Sequence, residues 1–436
     1  MDAERVVHGV FNQRGLSVKN MTTLWATAAM RDALRWRNST AHVFCLLFLV
    51  SGSAGAQPVP RPAKAAVWTV EKFDVGDSYG RHLSVPSLAA KGDTVAIIGD
   101  YFPWSMNPTE PAGMLFLQPG GRIALPPGYG TGYPKAIYDR KGTLHIFWAE
   151  FNQAPSSIFA WQSGVRAVWH SALSPRGWSP ADRVAAGRQI EWSLDEGEVA
   201  VDVRNRLHVL VQVIDTSDLG LGDYEFADDR WGRRVIAIMG TFARVATTSE
   251  GTLVAAFKAF DVADGRYKLF SRRFLTAEER WEPPTALTAP EGNVERLRLV
   301  ATASEVSAVW VEQEEKRDET TLVRFDLDAA GLRWSETSRI PLSASPARLS
   351  VFESPCVGLT ALMITRTAND LTLGSRLSTV EWEGHRVVEN PSAIPLTGAA
   401  IDIGATATAR GSVAAIFALG TQAENLVARR ESCRAR

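Results

Sequence analysis

Three arginines recur about 50 residues apart in the second half of this 436-residue chain: Arg244, Arg298 and Arg348. Each opens a run of β-forming residues (RVATT, RLVA, RLSVF). A guanidinium is a planar fork, so three of them converging on one spot would clamp a carboxylate or sulfate bidentately. Arg81 precedes an earlier run of the same kind and joins the set. Carboxylates fall at the far ends of the runs that follow: Asp100, Glu150 and Asp215. Two of these facing each other would supply the acid and base of glycoside cleavage, and their separation would decide between retention and inversion. Trp104 and Trp192 lie off the tryptophan spacing described below, on expected loops, and are the indoles best placed to stack on a sugar. The bland alternative stands beside each of these. An arginine before a strand is commonly a solvated rim residue, and a carboxylate at a hairpin end an ordinary loop charge.

Other constellations carry less. The acidic run Asp215–Asp229 (DTSDLGLGDYEFADD) offers oxygen ligands for calcium but lacks the Asp-x-Asp-x-Asp-Gly spacing. It reads as a solvated connecting loop, and no metal is expected. His145 and His208 occupy the same position of a repeat, which points to packing or hydrogen bonding rather than ligation. No phosphate loop, zinc spacing, nucleophile elbow or dinucleotide fingerprint occurs, so no cofactor is expected. Forty-seven Lys and Arg against 48 Asp and Glu give a net charge of −1, which excludes the broad basic footprint of a nucleic-acid binder.

The N-terminus carries a targeting pattern. Arg35 and Arg37 precede the apolar run Ala41–Val50, and small residues follow to Ala54-Gly55-Ala56. That order reads as a secretory signal cleaved after Ala56, with a secreted or periplasmic destination. Residues 1–29 exceed an ordinary signal, and Met30 would begin one of normal size. The apolar stretch is too short to span a bilayer, so no membrane span is expected after cleavage. Residues 57–65 form a Pro- and Ala-rich linker, and 66–436 the folded domain. Cys356 and Cys433 remain in it, in a compartment that would let them pair. A monomer is expected.

A repeat must position all these groups. A strand, a polar turn and a second apolar strand are clearest in Ala136–Trp148 (AIYDRKGTLHIFW) and recur to the end of the chain. The turn residues Asp93, Gly142, Asn205, Gly251, Ser304, Gly358 and Gly411 follow one another at about 50 residues, with one gap of 63. A tryptophan after a charged turn marks the other half of the unit: SPRGWSP at Trp178, DDRWGRR at Trp231, EERWEPP at Trp281, GLRWSET at Trp334, and a poorer copy at Trp382. A hairpin plus a tryptophan-bearing pair makes a four-stranded blade. The fold expected is all-β: a β-propeller of seven four-stranded blades, with six as the alternative because the long gap could hide an insertion or a distorted blade. Ala66–Gly76 carries Trp68 with no hairpin before it, so it should supply the outermost strand of the last blade and close the open edge. Cys433 would then sit in the closing blade and Cys356 in the blade before, where a disulfide could cross the boundary. The starts of innermost strands (His82, Lys135, Glu198 and Asp402 with the arginines) and the ends of second strands (Tyr101, Asp261 and Glu312 with the carboxylates) would meet at one mouth of the central channel.

Two stretches carry a family resemblance. Ser171–Trp178 (SALSPRGW) keeps the serine and tryptophan of an Asp-box, and Phe325–Trp334 (FDLDAAGLRW) keeps Asp328, Gly331 and Trp334. The chain thus resembles the sialidase-like (BNR/Asp-box) propeller superfamily. That resemblance implies a glycan-directed channel mouth and, for an active sialidase, an arginine triad, a tyrosine nucleophile with a glutamate partner, and an aspartic acid. The departures are specific. Ser84 stands where the family's Arg-Ile-Pro arginine would be, Arg339-Ile340-Pro341 lies in an outer-strand context, and no tyrosine follows Tyr267. The function expected is an exported propeller that binds a glycan, or an extracellular or periplasmic partner, at its mouth without ordinary sialidase chemistry. The alternatives are a glycoside hydrolase built on the arginines and paired carboxylates, and a scaffold of an envelope complex.

Overall fold

The recurring turn is the smallest unit that shapes this chain. Asp139 accepts the Thr143 amide at 2.7 Å through its side chain, and its carbonyl accepts the Gly142 amide at 3.0 Å. Asp202 holds the Arg206 amide in the same way at 2.8 Å, and Thr248 holds that of Thr252 at 3.0 Å. Two residues before the returning strand, φ is 86°, 64° and 86° at Gly142, Asn205 and Gly251. Glycine and asparagine enter that left-handed region most cheaply, which is why they mark the repeat.

The computed structural model describes residues 68–73, 82–102, 113–130, 132–151, 164–192, 197–214, 220–237, 240–261, 263–287, 293–302, 305–314, 319–328, 333–355, 358–366, 375–383, 386–390, 394, 396, 399–419 and 423–431. The chain divides into two units, Met1–Ala63 and Lys64–Arg436, and every described residue belongs to the second. The expected signal peptide, the linker 57–65, Arg81, Trp104, Asp215, Cys356 and Cys433 lie outside the described residues. Among those described, no helix is long and apolar enough to cross a membrane.

Seven antiparallel sheets follow one another along the chain, and they form a seven-bladed β-propeller. Blade 1 is His82–Lys91, Thr94–Phe102, Gly113–Gln118 and Gly121–Ile123. Blade 2 runs from Lys135–Tyr138 through Leu144–Phe151 and Val165–Ser174 to Asp182–Ala186. Blade 3 is Val199–Val201, Leu207–Ile214, Gly220–Ala227 and Arg230–Ala237; the short strand Gln189–Glu191 also pairs with its second strand. Blade 4 comprises Gly240–Thr247, Leu253–Asp261 and Arg266–Leu275, with Arg280–Trp281 and Thr285–Ala286 outside them. Blade 5 is Asn293–Ala301, Val306–Glu314, Glu319–Leu327 and Trp334–Leu342. Blade 6 is Pro346–Ser354, Gly358–Arg366, Ser375–Glu383 and Arg386–Asn390. Blade 7 is Ala399–Thr408, Gly411–Leu419 and Ala423–Glu431, completed by Trp68–Lys72 from the other end of the chain. The expected N-terminal closure is therefore present, with Trp68 opposite Arg430 and Lys72 opposite Leu426. The 63-residue gap adds no blade among the described residues; it includes the extra short strand Gln189–Glu191.

Tryptophans hold neighbouring blades together. Trp178, Trp231, Trp281, Trp334, Trp382 and Trp68 belong in turn to the apolar clusters between blades 1 and 2, 2 and 3, 3 and 4, 4 and 5, 5 and 6, and 6 and 7. Several indoles also donate across the seam: Trp178 Nε1 to the Ala124 carbonyl at 2.8 Å, Trp281 Nε1 to Asp223 at 3.0 Å, and Trp334 Nε1 to Ser271 at 2.8 Å. The seventh seam is built differently. Phe73 meets Phe116 edge-on at 4.6 Å, and the Asn425 side chain bonds both the amide (2.8 Å) and the carbonyl (2.7 Å) of Leu83. At Gly404 a Cβ would lie 2.3 Å from the Pro86 carbonyl, so blade 7 reaches blade 1 only because that side chain is absent.

One expectation fails here. The acidic run is not a loop over its latter half, because Gly220–Ala227 is the third strand of blade 3. Asp223 is buried there, accepting from Trp281 at 3.0 Å and lying 3.0 Å from His208 Nδ1. Its neighbours along the strand are buried on both faces, so its glycines serve packing rather than a turn.

Candidate binding site at the channel mouth

The mouth is made where innermost strands enter their blades. In five blades the ladder slips there: between Ser84 and Ser87, Thr241 and Arg244, Glu295 and Arg298, Pro346 and Arg348, and Ala400 and Asp402. A bulge of this kind re-aims the side chains beside it. Tyr133, Phe242 and Arg296 stand two residues before Lys135, Arg244 and Arg298, and all three have left-handed φ of 47°, 52° and 53°. Each such non-glycine residue costs on the order of 1–3 kcal/mol, and such strain clusters at sites of binding or catalysis. Phe242 is 47% exposed despite its size.

The three arginines adopt one repeated pose. Arg244 Nη1 folds back to the Ala243 carbonyl at 2.7 Å, while Nε reaches the Leu297 carbonyl of the next blade at 3.0 Å. Arg298 folds back to Leu297 at 3.0 Å and reaches Leu349 of the next blade at 2.5 Å. Arg348 folds back to Ala347 at 3.2 Å and reaches Asp402 of the next blade at 2.9 Å. Arg244 and Arg298 are thus brought together on the Leu297 carbonyl, and Arg244 also meets Glu198 at 3.2 Å. Glu198 lies 3.8 Å from Lys135. The three arginines brace neighbouring blades: Arg244 is only 1% exposed, and all three donate to acceptors of the protein itself.

The other candidates are placed as follows. Asp100 is fully buried; it accepts from the Tyr129 hydroxyl at 2.8 Å and the Tyr133 amide at 3.0 Å. Ser84 donates to the Asp100 carbonyl at 3.2 Å. Glu150 sits on the rim of blade 2, paired with Arg166 and accepting from Trp169 Nε1 at 2.9 Å. Burial tends to raise its carboxyl, but the bonds from Arg166 and Trp169 win and lower it. Glu150 is therefore a poor proton donor, and the expected partner Asp215 lies outside the described residues. Trp192 corrects an expectation. It is 4% exposed in the core between blades 2 and 3, with Nε1 donating to the Tyr133 carbonyl at 2.9 Å and the Lys135 ammonium 5.8 Å over its ring. A covered indole offers no face to a sugar.

Tyr129, Tyr133, Glu191 and Phe242 are mouth residues that the sequence reading missed. The first two lie in the glycine-rich stretch PPGYGTGYP before blade 2, which could have flagged them. Glu191 accepts from the Thr241 hydroxyl, and burial raises its carboxyl against that bond. Burial and the Asp100 charge drive the Tyr133 phenol well up, with Arg348 opposing and Asp402 adding, so it stays protonated. A phenol held neutral is a donor, not a nucleophile. The matched histidines have the bonding role expected of them. His145 and His208 each lie 3.6 Å from the turn aspartate of their own blade, and His145 Nδ1 lies 2.9 Å from His170 Nε2. Among the described residues no cluster of His, Cys, Asp and Glu could hold a metal.

Burial pushes the Asp100 carboxyl up to about 6, against the bonds from Tyr129, Tyr133 and Gly132 and the charge of Lys135. The native state therefore prefers Asp100 protonated, while the unfolded chain ionises it near 3.8. Stability should fall as pH rises from about 4 to about 6, by about 3 kcal/mol in all, and level off above that. In Asp100→Asn this step is expected to vanish from urea midpoints measured across that window; a step of equal size in the variant would mean another group causes it.

No protein-family model matches the chain, and no curated protein matches it significantly. Solved structures do resemble it. The β-propeller domain of the Trilobed protease from Pyrococcus furiosus shares 7% identity over 80% of this chain and 94% of that one, with a TM-score of 0.46. A subtype N11 neuraminidase-like protein of A/flat-faced bat/Peru/033/2010 (H18N11) shares 11% over 85% and 95%, with a TM-score of 0.42. The Trypanosoma rangeli sialidase shares 11% over 72% of this chain and 56% of that one, with a TM-score of 0.41. On its own strands and register the chain is a seven-bladed β-propeller, and the solved structures similar to it include sialidases.

Proposed function

We propose that this protein is an exported propeller that binds a glycan at its channel mouth, with Phe242 as the stacking surface, and that it lacks ordinary sialidase chemistry. Phe242 carries the reading. A large apolar ring is held out from a strained bulge, and Glu191, Glu198 and Gln212 line the same small recess of about 10 Å³. That recess holds at most one water, so a ligand would lie over the rim rather than inside it. An apolar face beside carboxylate and amide acceptors suits a sugar ring, whose C–H face packs while its hydroxyls donate. The bracing of the arginines between blades and the protonated Tyr133 speak against a sialate clamp with a tyrosine nucleophile. Asp100, at about 6, has the proton a hydrolase would need, but it is enclosed at 0% exposure.

Saturation-transfer NMR with a panel of neutral and acidic oligosaccharides tests this. Wild type should transfer magnetisation to at least one glycan, and Phe242→Ala should weaken that binding about tenfold or more, as loss of a central aromatic anchor does. Transfer that survives Phe242→Ala unchanged would remove Phe242 from the site; no transfer to any glycan would remove the glycan.

A further inference from the structure

The charged turn DDRWGRR belongs to the opposite end of the propeller from the mouth, where hairpins of blades 3 and 4 turn side by side. There a cleft of about 450 Å³ is lined by Arg204, Arg206, Arg230, Arg233 and Arg234 of blade 3. We propose that this cleft is a second binding site, for a sulfate or phosphate group, independent of the glycan reading at the mouth.

Charge comes first. Three carboxylates line the cleft, Glu225, Asp228 and Glu279, so five arginines leave two positive charges in excess. Asp202 lies behind them, paired with Arg206 at 2.7 Å, and takes the excess to one. An oxyanion that spreads its charge over several acceptor oxygens matches that excess.

Preorganisation comes second. Arg206 is tied to Glu225 at 2.7 Å and to Glu279 at 3.3 Å, and Arg204 to Glu279 at 2.7 Å. Arg234 is paired with Glu225. The guanidinium carbons of Arg206 and Arg234 lie 5.7 and 5.5 Å over the ring of Phe274 from blade 4, and that of Arg233 lies 5.9 Å over Tyr224. Planar donors stacked on aromatic rings lose little freedom when they bind, which favours forked recognition of an oxyanion. Asp228 and Asp229, at φ of 53° and 59°, form the tight turn that brings Arg230 round to the cleft.

The site spans a blade boundary, since Phe274 and Glu279 come from blade 4. The other tryptophan-bearing turns, SPRGWSP, EERWEPP and GLRWSET, carry one arginine each. The arginine-rich version is thus a departure from the repeat, not a requirement of the blade.

Calorimetric titration of the full chain with inorganic sulfate, and separately with inorganic phosphate, tests the site. One saturable event in about the millimolar range is expected, weakening as chloride is added. Arg230→Ala/Arg233→Ala should weaken it about tenfold or more, and Arg410→Ala, in blade 7 and 84% exposed, should leave it unchanged. If the double variant loses its β-sheet circular dichroism, exposed Arg230→Ala alone serves, with a loss of about threefold or more expected. Titrations with a sulfated monosaccharide and with a sugar phosphate identify the source: the ester that binds more tightly than its free ion marks a sulfated or phosphorylated glycan, and equal binding marks the free ion. Phe242→Ala should not change any of these results. No saturable event with either ion, or an arginine variant that binds as wild type does, overturns the proposal.

Discussion

Trp68→Ala is expected to lower stability by about 3–5 kcal/mol, as aromatic truncation in a closed core does. Trp68 is buried at the last tryptophan seam, packed with Phe352, Leu362, Leu377 and Ile394 of the blade 6 side. It is also the first residue of the strand that completes blade 7 from the other chain end. Its truncation therefore opens a cavity and loosens the only strand that shields Ala423–Glu431 in the described sheet. An uncovered strand edge is a template for intermolecular pairing, so the variant should also aggregate at lower temperature. Trp68→Phe separates packing from hydrogen bonding. No described residue accepts from Trp68 Nε1, so the phenyl ring should cost less than about 1.5 kcal/mol. Urea midpoints read both effects. A midpoint unchanged in Trp68→Ala would mean that the N-terminal strand does not close the ring.

Arg244→Met is expected to cost a similar amount, about 3–5 kcal/mol, because it strands buried partners. The Leu297 and Ala243 carbonyls lose a charged donor, and Glu198 loses its cation at 3.2 Å. Gly197 fits beneath this arginine so closely that a Cβ there would lie 2.8 Å from its Cδ, so the methionine also meets a shaped slot. Adding Glu198→Gln to Arg244→Met should recover part of the loss, since it removes a buried carboxylate that has lost one of its two cations and keeps the more distant Lys135. The double-mutant cycle should give a coupling of about 1–3 kcal/mol. Arg410→Ala, paired with Asp93 at the surface, should cost within about 0.5 kcal/mol. If Arg244 were a ligand clamp, its loss would abolish binding and leave the midpoint where it was.

The architecture was legible because it repeats. Turns such as Asp139–Gly142 and Asp202–Asn205 need a side-chain acceptor and a left-handed residue, and both needs leave letters in the sequence. Each tryptophan seam leaves another letter at the same spacing, and Trp68 betrayed the closing strand by having no hairpin before it. The mouth was less legible. Arg244, Arg298 and Arg348 were found, but a ligand clamp and an inter-blade brace call for the same residue. Their acceptors are backbone carbonyls of Leu297 and Leu349, which any residue would provide. The left-handed backbone at Tyr133, Phe242 and Arg296 has no composition signal, because none of them is a residue that prefers such a conformation. Trp192 read as a loop indole because it falls off the period, yet the Tyr133 carbonyl and the blade 2 core draw it inside. Gly220–Ala227 read as part of a solvated loop for its acidic residues, while burial on both faces makes it a strand.

The most direct measurement is turnover of aryl sialosides by the purified protein between about pH 4 and 8, a range that brackets the Asp100 carboxyl. Braced arginines, a protonated Tyr133 and an enclosed Asp100 lead to the expected result of no aglycone release above buffer at any pH. Steady release that is lost in Arg348→Ala or Asp100→Asn, with either variant still folded, would contradict it and make the mouth a catalytic site.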